Sequence, residues 1–273
     1  MNTLYQFQFS HYCEKARWAL DHKGVPYVCR NLVPGPHKKV TRALAPRSCV
    51  PILVIDGTIL QDSTAIITAL DERFPDRRLT PRAAPEAQDA LAWEEYLDEE
   101  VGVTLRQWFY FHTLPDRERA LRFLLDGAPW YGRPLYAVIF PKVRAAMVDL
   151  MQINAASARQ SEDRLRGGLA RLDAALQDRR FLVGNTFSRA DLTACALLSP
   201  FVAPGRPEAD IASAFPAPVR AMHDEMRDRR FFRWVTNTYQ ACRRGAPATG
   251  TRVAQGGRLQ PAAPRPRSTS TGA

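Results

Sequence analysis

The sequence lacks the signatures of several common protein classes. No apolar run reaches the roughly 18 residues of a membrane-spanning helix, and no basic block followed by an apolar one marks a secretory signal, so we expect neither. Phosphate-binding loops, dinucleotide-binding turns, zinc-protease motifs and serine-hydrolase motifs are also missing. These absences argue against nucleotide, zinc-protease and serine-hydrolase chemistry.

Cysteine is scarce and irregularly spaced. The chain has 5 cysteines, with no Cys-x-x-Cys pair and no Cys/His cluster at zinc-binding spacing. An odd number without a regular framework indicates free thiols in a reducing compartment. We therefore expect a cytoplasmic protein that binds no metal.

Positive charge is concentrated at one end of the chain. The formal net charge is +10, and half of it comes from residues 244–273, which carry five arginines and no acid. This tail has few large apolar residues, so we predict that it is disordered. Its arginines lack interleaved aromatics, so we expect no specific nucleic-acid binding. The mildly basic remainder suits an anionic small molecule as well as it suits a polyanion.

Turn signals and hydrophobic periodicity divide the rest of the chain in two. Residues 1–79 predict the element order βαβ-α-ββα, with Asp56-Gly57 as the turn of a hairpin. Farther along the chain, strand signals give way to helical periodicity. We predict an α/β domain at 1–79, a linker at 80–86, an all-helical domain at 87–243 and the basic tail at 244–273.

The turn into the first predicted helix carries a serine and a cysteine. The run Ser10-His11-Tyr12-Cys13 follows the first strand directly. The free N–H groups and the dipole of a helix N-terminus stabilise a thiolate held there. The structural alternative is that Ser10 caps the helix and Cys13 is a small core residue.

Two more motifs flank the predicted hairpin. Val50-Pro51 precedes its first strand, where a cis peptide would expose the N–H and C=O of Val50 to an extended peptide. Gln61-Asp62-Ser63 leads into the next helix, whose start suits a carboxylate on its N–H groups and an amine on Asp62. A strand-end proline and ordinary helix capping are the structural alternatives.

The order of these motifs, with Ser188-x-x-Asp191 as a capping box at a late helix start, resembles the soluble glutathione S-transferases of the bacterial, serine type. The resemblance covers roughly residues 3–243. It implies a thioredoxin-like domain followed by an all-helical domain. It also implies reduced glutathione as co-substrate, a homodimer, and conjugation of the glutathione thiolate to a small hydrophobic electrophile.

The resemblance assigns parts of glutathione to the motifs of the first domain. Val50 and a cis Pro51 would hold its cysteinyl backbone. Asp62 and Ser63, assisted by Gln61, would hold its γ-glutamyl end, although the family usually has Glu-Ser where this chain has Asp-Ser.

The thiolate and the glycine carboxylate need partners as well. Ser10 is the expected hydrogen-bond donor to the thiolate, with Tyr5 and Tyr12 as weaker candidates. The carboxylate is expected to contact a basic residue after the second strand. The candidates there are His37, Lys38, Lys39 and Arg42.

The electrophile is expected between the two domains, in a pocket lined by Tyr12, Trp108 and Phe111 and by some of the other aromatic residues nearby, which are Phe109, Tyr110, Trp130, Tyr131 and Tyr136. Two rival functions stay open. One is thiol transfer or reduction through a mixed disulfide between glutathione and Cys13. The other is a non-catalytic binding or interaction protein of the same fold, which the Asp-Ser departure and the basic tail would fit.

Overall fold

Strands and helices alternate in the first part of the chain. The computed structural model describes residues 1–177, 179–243 and 252–253. The strands are β1 (Thr3–Gln6), β2 (Val28–Asn31), β3 (Ile52–Ile55), β4 (Thr58–Gln61) and the two-residue β5 (Arg252–Val253). The helices of this part are α1 (His11–Lys23), α2 (His37–Leu44) and α3 (Ser63–Arg73).

The strands form one mixed sheet in the order β4-β3-β1-β2-β5. β1 pairs in parallel with β2 and antiparallel with β3, and the predicted Asp56-Gly57 turn joins β3 to β4. The order βαβ-α-ββα and the thioredoxin-like fold are therefore confirmed. β5, which pairs in parallel with β2, was not predicted, and the remainder of the predicted disordered tail lies outside the described residues.

Helices make up the second domain, as predicted. They are α4 (Ala84–Tyr96), α5 (Thr104–Thr113), α6 (Arg117–Leu124), α7 (Gly132–Leu150), α8 (Ala155–Leu176), α9 (Arg189–Val202), α10 (Glu208–Ala214), α11 (Ala217–Met226) and α12 (Arg230–Thr238). A π-helical segment, Leu97–Val103, joins α4 to α5 without a break. The predicted linker at 80–86 extends too far, because α4 begins at Ala84. None of the described helices is long and apolar enough to span a membrane.

The predicted capping box begins α9, the helix that packs against α1 in the core. The Asp191 carboxylate accepts the backbone N–H of Ser188 at 2.9 Å, the Ser188 hydroxyl at 2.8 Å and the N–H of Leu182 at 2.8 Å. Burial nevertheless raises the pKa of Asp191 to about 6. Ser188 and Asp191 thus fix the start of a helix that is buried along most of its length.

A buried ionic network links the two domains. The ammonium of Lys15, on α1, lies 2.7 Å from carboxylate oxygens of both Glu94 and Asp98. The guanidinium of Arg189 also contacts Glu94, and the Thr64 hydroxyl at the start of α3 lies 3.0 Å from Lys15. Lys15, Glu94 and Arg189 are at most 1% exposed, so each charge depends on its partners rather than on water.

Removing Lys15 should therefore destabilise the protein strongly. Lys15→Met leaves Asp98 without its ammonium partner and Glu94 with Arg189 alone. We expect the free energy of unfolding to fall by about 3–5 kcal/mol, measured by denaturant titration. The control Lys39→Met changes an exposed lysine on α2 and should stay within about 0.5 kcal/mol of the parent protein. Equal stability of the two variants would contradict this account.

Candidate functional site

A cleft of about 470 Å³ lies between the α/β domain and the helical domain. This volume is within the usual range for small-molecule sites. One wall comes from the β1–α1 turn, the start of α2 and the segment before β3, and the other from α5 and α7. Most of the wall is apolar, with a few polar side chains, which is typical of a ligand site.

Ser10 lies on the cleft wall at the N-terminus of α1. It is the N-cap of that helix, and its Oγ accepts the backbone N–H of Cys13 at 3.4 Å. The hydroxyl also lies within hydrogen-bond reach of the Cys13 thiol, and because a hydroxyl both accepts and donates, its hydrogen can turn to that sulfur or to an acceptor in the cleft. The capping role and the thiolate-binding role predicted for Ser10 are therefore compatible.

Cys13 lies in the core and not in the cleft. Its side chain is completely buried, because the fourth residue of the motif turns onto the inner face of α1. Burial raises the pKa of the Cys13 thiol. This burial argues against the predicted catalytic role for Cys13 and favours the core-residue alternative.

Tyr12 lines the cleft as predicted. Its hydroxyl donates to the backbone carbonyl of Asp98 at 2.8 Å, and burial raises its pKa above the ordinary range. Position 102 must be a glycine for Tyr12 to lie there, because a Cβ on Gly102 would be only 2.6 Å from the Tyr12 hydroxyl oxygen. Tyr12 therefore forms part of the cleft wall, and its hydroxyl hydrogen is already donated to the Asp98 carbonyl.

The segment before β3 brings a free backbone edge to the cleft. The Val50–Pro51 peptide bond is cis, as the resemblance implies. Within the described residues, no group pairs with the N–H or C=O of Val50, which lines the cleft. An extended peptide laid beside Val50 would find both a donor and an acceptor.

Asp62 begins α3 in a strained conformation directly beside this edge. Its φ of +98° is unfavourable for any residue except glycine, and its N–H donates to the Pro51 carbonyl at 3.2 Å. One carboxylate oxygen accepts the N–H groups of Thr64 at 2.9 Å and Ala65 at 3.4 Å. The other lies 3.8 Å from Arg47 in an accessible position, where an amine can reach it.

Gln61 and Ser63, predicted to help hold the γ-glutamyl end of glutathione, are the chain neighbours of Asp62. The Gln61 amide donates to the carbonyls of Arg47 at 2.6 Å and Cys49 at 3.0 Å, so it braces the loop before β3. Ser63 is buried at 3% exposure, and neither residue lines the cleft. Gln61 therefore fixes the loop before β3, whereas the Ser63 side chain belongs to the interior.

The lysines of α2 differ in position. Lys38 is half-buried and lines the cleft, whereas Lys39 is exposed and points away from it. His37 also lines the cleft, but burial lowers its pKa to about 4, so it is neutral at physiological pH. Lys38 is therefore the α2 residue best placed for a carboxylate, and the prediction for Lys39 is not supported by its position.

The aromatic residues predicted for the electrophile pocket are mostly elsewhere. Trp108 is 1% exposed and donates to Glu162 of α8 at 3.2 Å, and Phe111 also lies outside the cleft. The opposite face of α5 presents Arg106 and Tyr110 instead. Tyr110 was one of the aromatic candidates, whereas Arg106, one helical turn before it, was not predicted; the periodicity of α5 is the sequence signal that would have identified Arg106.

The helix α7 supplies a further wall that the sequence did not predict. The Tyr136 hydroxyl donates to the Pro34 carbonyl at 2.8 Å, which fixes α7 against the loop before α2. Gly35 in that loop has a φ of +91°, and a Cβ there would meet Val143 at 2.9 Å. The α7 residues facing the cleft are Ile139, Lys142, Val143, Ala146, Met147 and Leu150.

The cysteines and the potential metal ligands of the described residues are dispersed. All five cysteines are free, and Cys49 is exposed at the cleft. The described residues contain no group of three or more His, Cys, Asp or Glu side chains that could hold a metal.

Both domains match models of known families. The model "Glutathione S-transferase, N-terminal domain" matches residues 4–78, and "Glutathione S-transferase, C-terminal domain" matches residues 135–220. A search of curated proteins found no match.

Solved structures of similar fold span nearly all of the chain. A glutathione S-transferase from Methylobacterium radiotolerans, in complex with glutathione sulfonate, is 19% identical with a TM-score of 0.55, covering 95% of this chain and 99% of its own. A glutathione transferase from Populus trichocarpa is 16% identical with a TM-score of 0.53, covering 87% and 98%. Ure2p in complex with glutathione is 16% identical with a TM-score of 0.55, covering 86% and 97%.

The burial of Cys13 predicts a large difference in thiol reactivity within the folded protein. Brief treatment with iodoacetamide should modify the exposed Cys49 and leave Cys13 unmodified, as read by peptide mass spectrometry. In denaturant both should react at similar rates, which serves as the control. Modification of Cys13 at the rate of Cys49 in the folded protein would show that Cys13 is accessible after all.

The buried histidine at the start of α1 predicts a pH dependence of stability. Burial, reinforced by the nearby charge of Arg106, lowers the pKa of His11 to about 3. This pKa lies below the value of about 6.5 in the unfolded chain. The His11 contribution to the free energy of unfolding is therefore fully present above about pH 6.5 and is lost as the pH falls. Between the two pKa values, each unit of pH decrease should lower the free energy of unfolding by about 1.4 kcal/mol because of His11.

The test compares unfolding free energies at about pH 7 and about pH 5 for the parent protein and His11→Gln. The variant should lose about 2 kcal/mol less than the parent between the two pH values. This difference does not depend on the variant's absolute stability. Identical losses would mean that His11 does not titrate in this way.

Proposed function

The chain belongs to the glutathione S-transferase family, and we propose that its cleft binds reduced glutathione and transfers the glutathione thiolate to a small electrophile. The carrying observation is Ser10, whose hydroxyl lies at the N-terminus of α1 on the wall of a cleft that also contains the backbone of Val50, which has no hydrogen-bond partner among the described residues. Glutathione carries a thiol, which the Ser10 hydroxyl can contact, on an extended peptide backbone, which can pair with Val50. The two features therefore fit a single ligand.

The proposed position of glutathione follows from the groups around Ser10. Its cysteinyl residue pairs with the backbone of Val50, as an added strand would. Its α-amino group approaches the accessible oxygen of Asp62, and its α-carboxylate approaches the N-terminus of α3. Its glycine carboxylate approaches Lys38. The glutathione sulfonate and glutathione bound by two of the similar structures support this choice of ligand.

The proposed chemistry depends on ionising the thiol. A free thiol has a pKa near 8.5, so it is largely protonated at neutral pH. Hydrogen bonding from Ser10 and the dipole of α1 stabilise the thiolate, and the proton passes to water. The sulfur then forms a bond to an electrophilic carbon, and the leaving group departs with its bonding electrons.

The sequence leaves two rival functions open, thiol transfer through Cys13 and a non-catalytic role, and the geometry bears on only the first. Complete burial of Cys13 argues against thiol transfer through that residue. A non-catalytic role predicts glutathione binding without turnover, so the experiment below distinguishes it. A homodimer, a cytoplasmic location and the absence of a metal stay predictions that accompany the proposal.

The first experiment is titration calorimetry of the protein with reduced glutathione, followed by turnover of a chlorodinitrobenzene. We expect saturable binding in the parent protein. Ser10→Ala should keep glutathione affinity within about threefold and lower kcat/KM by about 10- to 100-fold, because the donor acts mainly on the thiolate. The pH profile of turnover should shift to higher pH in the same variant.

The control is Ser188→Ala, which removes a helix-capping serine far from the cleft. It should lower stability while leaving the pH profile of turnover in place. Turnover that is equal in Ser10→Ala and the parent protein would remove Ser10 from the mechanism. An absence of glutathione binding in the parent protein would overturn the proposed function itself.

A further inference from the structure

An unpaired arginine faces the cleft from the helical domain. Arg106, on α5, is half-buried, and its guanidinium carbon lies 5.6 Å from the ring centroid of Tyr12. Among the described residues no acidic side chain pairs with Arg106. Two acids on the preceding turns have other partners, because Asp98 pairs with Lys15 and Glu100 with Arg164.

A half-buried cation without a counterion is costly unless a ligand compensates it. The guanidinium presents a planar fork of donors that fits a carboxylate. The positive charge of Arg106 acts on two neighbouring tyrosines. Burial raises the pKa of Tyr12 and of Tyr110, and Arg106 works in the opposite direction on both. Arg106 therefore lies where an anion would be stabilised within the cleft.

The rest of the cleft wall has the same sign of charge. Lys38 and Lys142 line it along with Arg106, and the described lining residues include no aspartate or glutamate. In the proposed position of glutathione, Lys38 serves the glycine carboxylate. Arg106 belongs to the opposite wall, beside Ser10 and Tyr12, where the second substrate would lie.

The apolar part of the cleft is next to this cation. Tyr110 is one turn farther along α5, and Ile139, Val143 and Met147 of α7 face the same space. A ligand that fills this part needs an apolar or aromatic body. A ligand that also satisfies Arg106 needs an anionic group on that body.

We propose that the electrophile of this protein is an apolar or aromatic carboxylate whose anionic group is bound by Arg106. This inference rests on the proposed function and specifies its second substrate. With a chlorodinitrobenzoate, the glutathione sulfur bonds to the ring carbon that carries chlorine, and chloride leaves with the bonding electrons. Arg106 is a specificity residue in this scheme, because it selects the charged substrate over its neutral ester.

The test uses matched acid and ester probes. Calorimetry measures the binding of dinitrobenzoate and of its methyl ester, with and without glutathione, and kinetics measures turnover of the corresponding chlorodinitrobenzoate and ester. We expect the parent protein to favour the acid by about tenfold or more in both affinity and kcat/KM. Arg106→Met should abolish this preference, and Arg106→Lys should keep part of it.

The control Arg133→Met removes the same charge from an exposed position of α7 outside the cleft, and should preserve the preference. Equal treatment of acid and ester by the parent protein would overturn the proposal. So would an unchanged preference in Arg106→Met, or an equal loss of affinity for glutathione in that variant. Titration without glutathione keeps these outcomes separate from a failure of glutathione binding, which would concern the proposed function alone.

Discussion

The position of the cleft depends on the ionic network around Lys15. Its ammonium joins α1 to the carboxylates of Glu94 and Asp98, and the Thr64 hydroxyl of α3 lies within hydrogen-bond distance of the same groups. Directional contacts of this kind fix relative orientation better than apolar packing does, because the penalty for an unpaired buried charge is large. The network therefore sets how the N-termini of α1 and α3 lie relative to the helical domain, and the proposed positions of the thiolate and of the γ-glutamyl end of glutathione are at those N-termini.

The π-helical segment Leu97–Val103 makes this arrangement sterically compatible with the cleft. It carries Asp98, which uses its side chain for Lys15 and its backbone carbonyl for the Tyr12 hydroxyl. It also carries Gly102, where a larger residue would displace Tyr12. Segments of π-helix are frequent at functional sites because the extra residue redirects side chains and carbonyls. Here it lets one segment serve both the domain interface and the cleft wall.

Local signals explain why so much of the first domain could be predicted. Caps, a two-residue turn and a strand-end proline each depend on a few adjacent residues, so Ser10, Val50 and, in the second domain, the Ser188–Asp191 box were found from sequence. Positions that depend on which face of a helix is buried were not. Trp108 and Arg106 are two residues apart on α5, yet one lies in the core and the other in the cleft. In α7, an internal proline and scattered aromatic residues obscured the helical periodicity of the apolar positions. The strand β5 could not be predicted locally, because it pairs with residues more than two hundred positions away.

The two walls of the cleft divide the recognition of ligands between the domains. The α/β wall offers the backbone of Val50, helix N-termini and a few polar side chains such as Ser10 and Lys38, which suit the invariant peptide, thiol and carboxylate groups of glutathione. The helical wall offers only side chains, from α5 and α7, and its apolar surface surrounds the charge of Arg106. A change of one side chain on this second wall alters shape or charge without disturbing the backbone that would hold glutathione. In the proposed function, substrate choice is therefore a property of α5 and α7, whereas competence to bind glutathione is a property of the α/β domain and its helix starts.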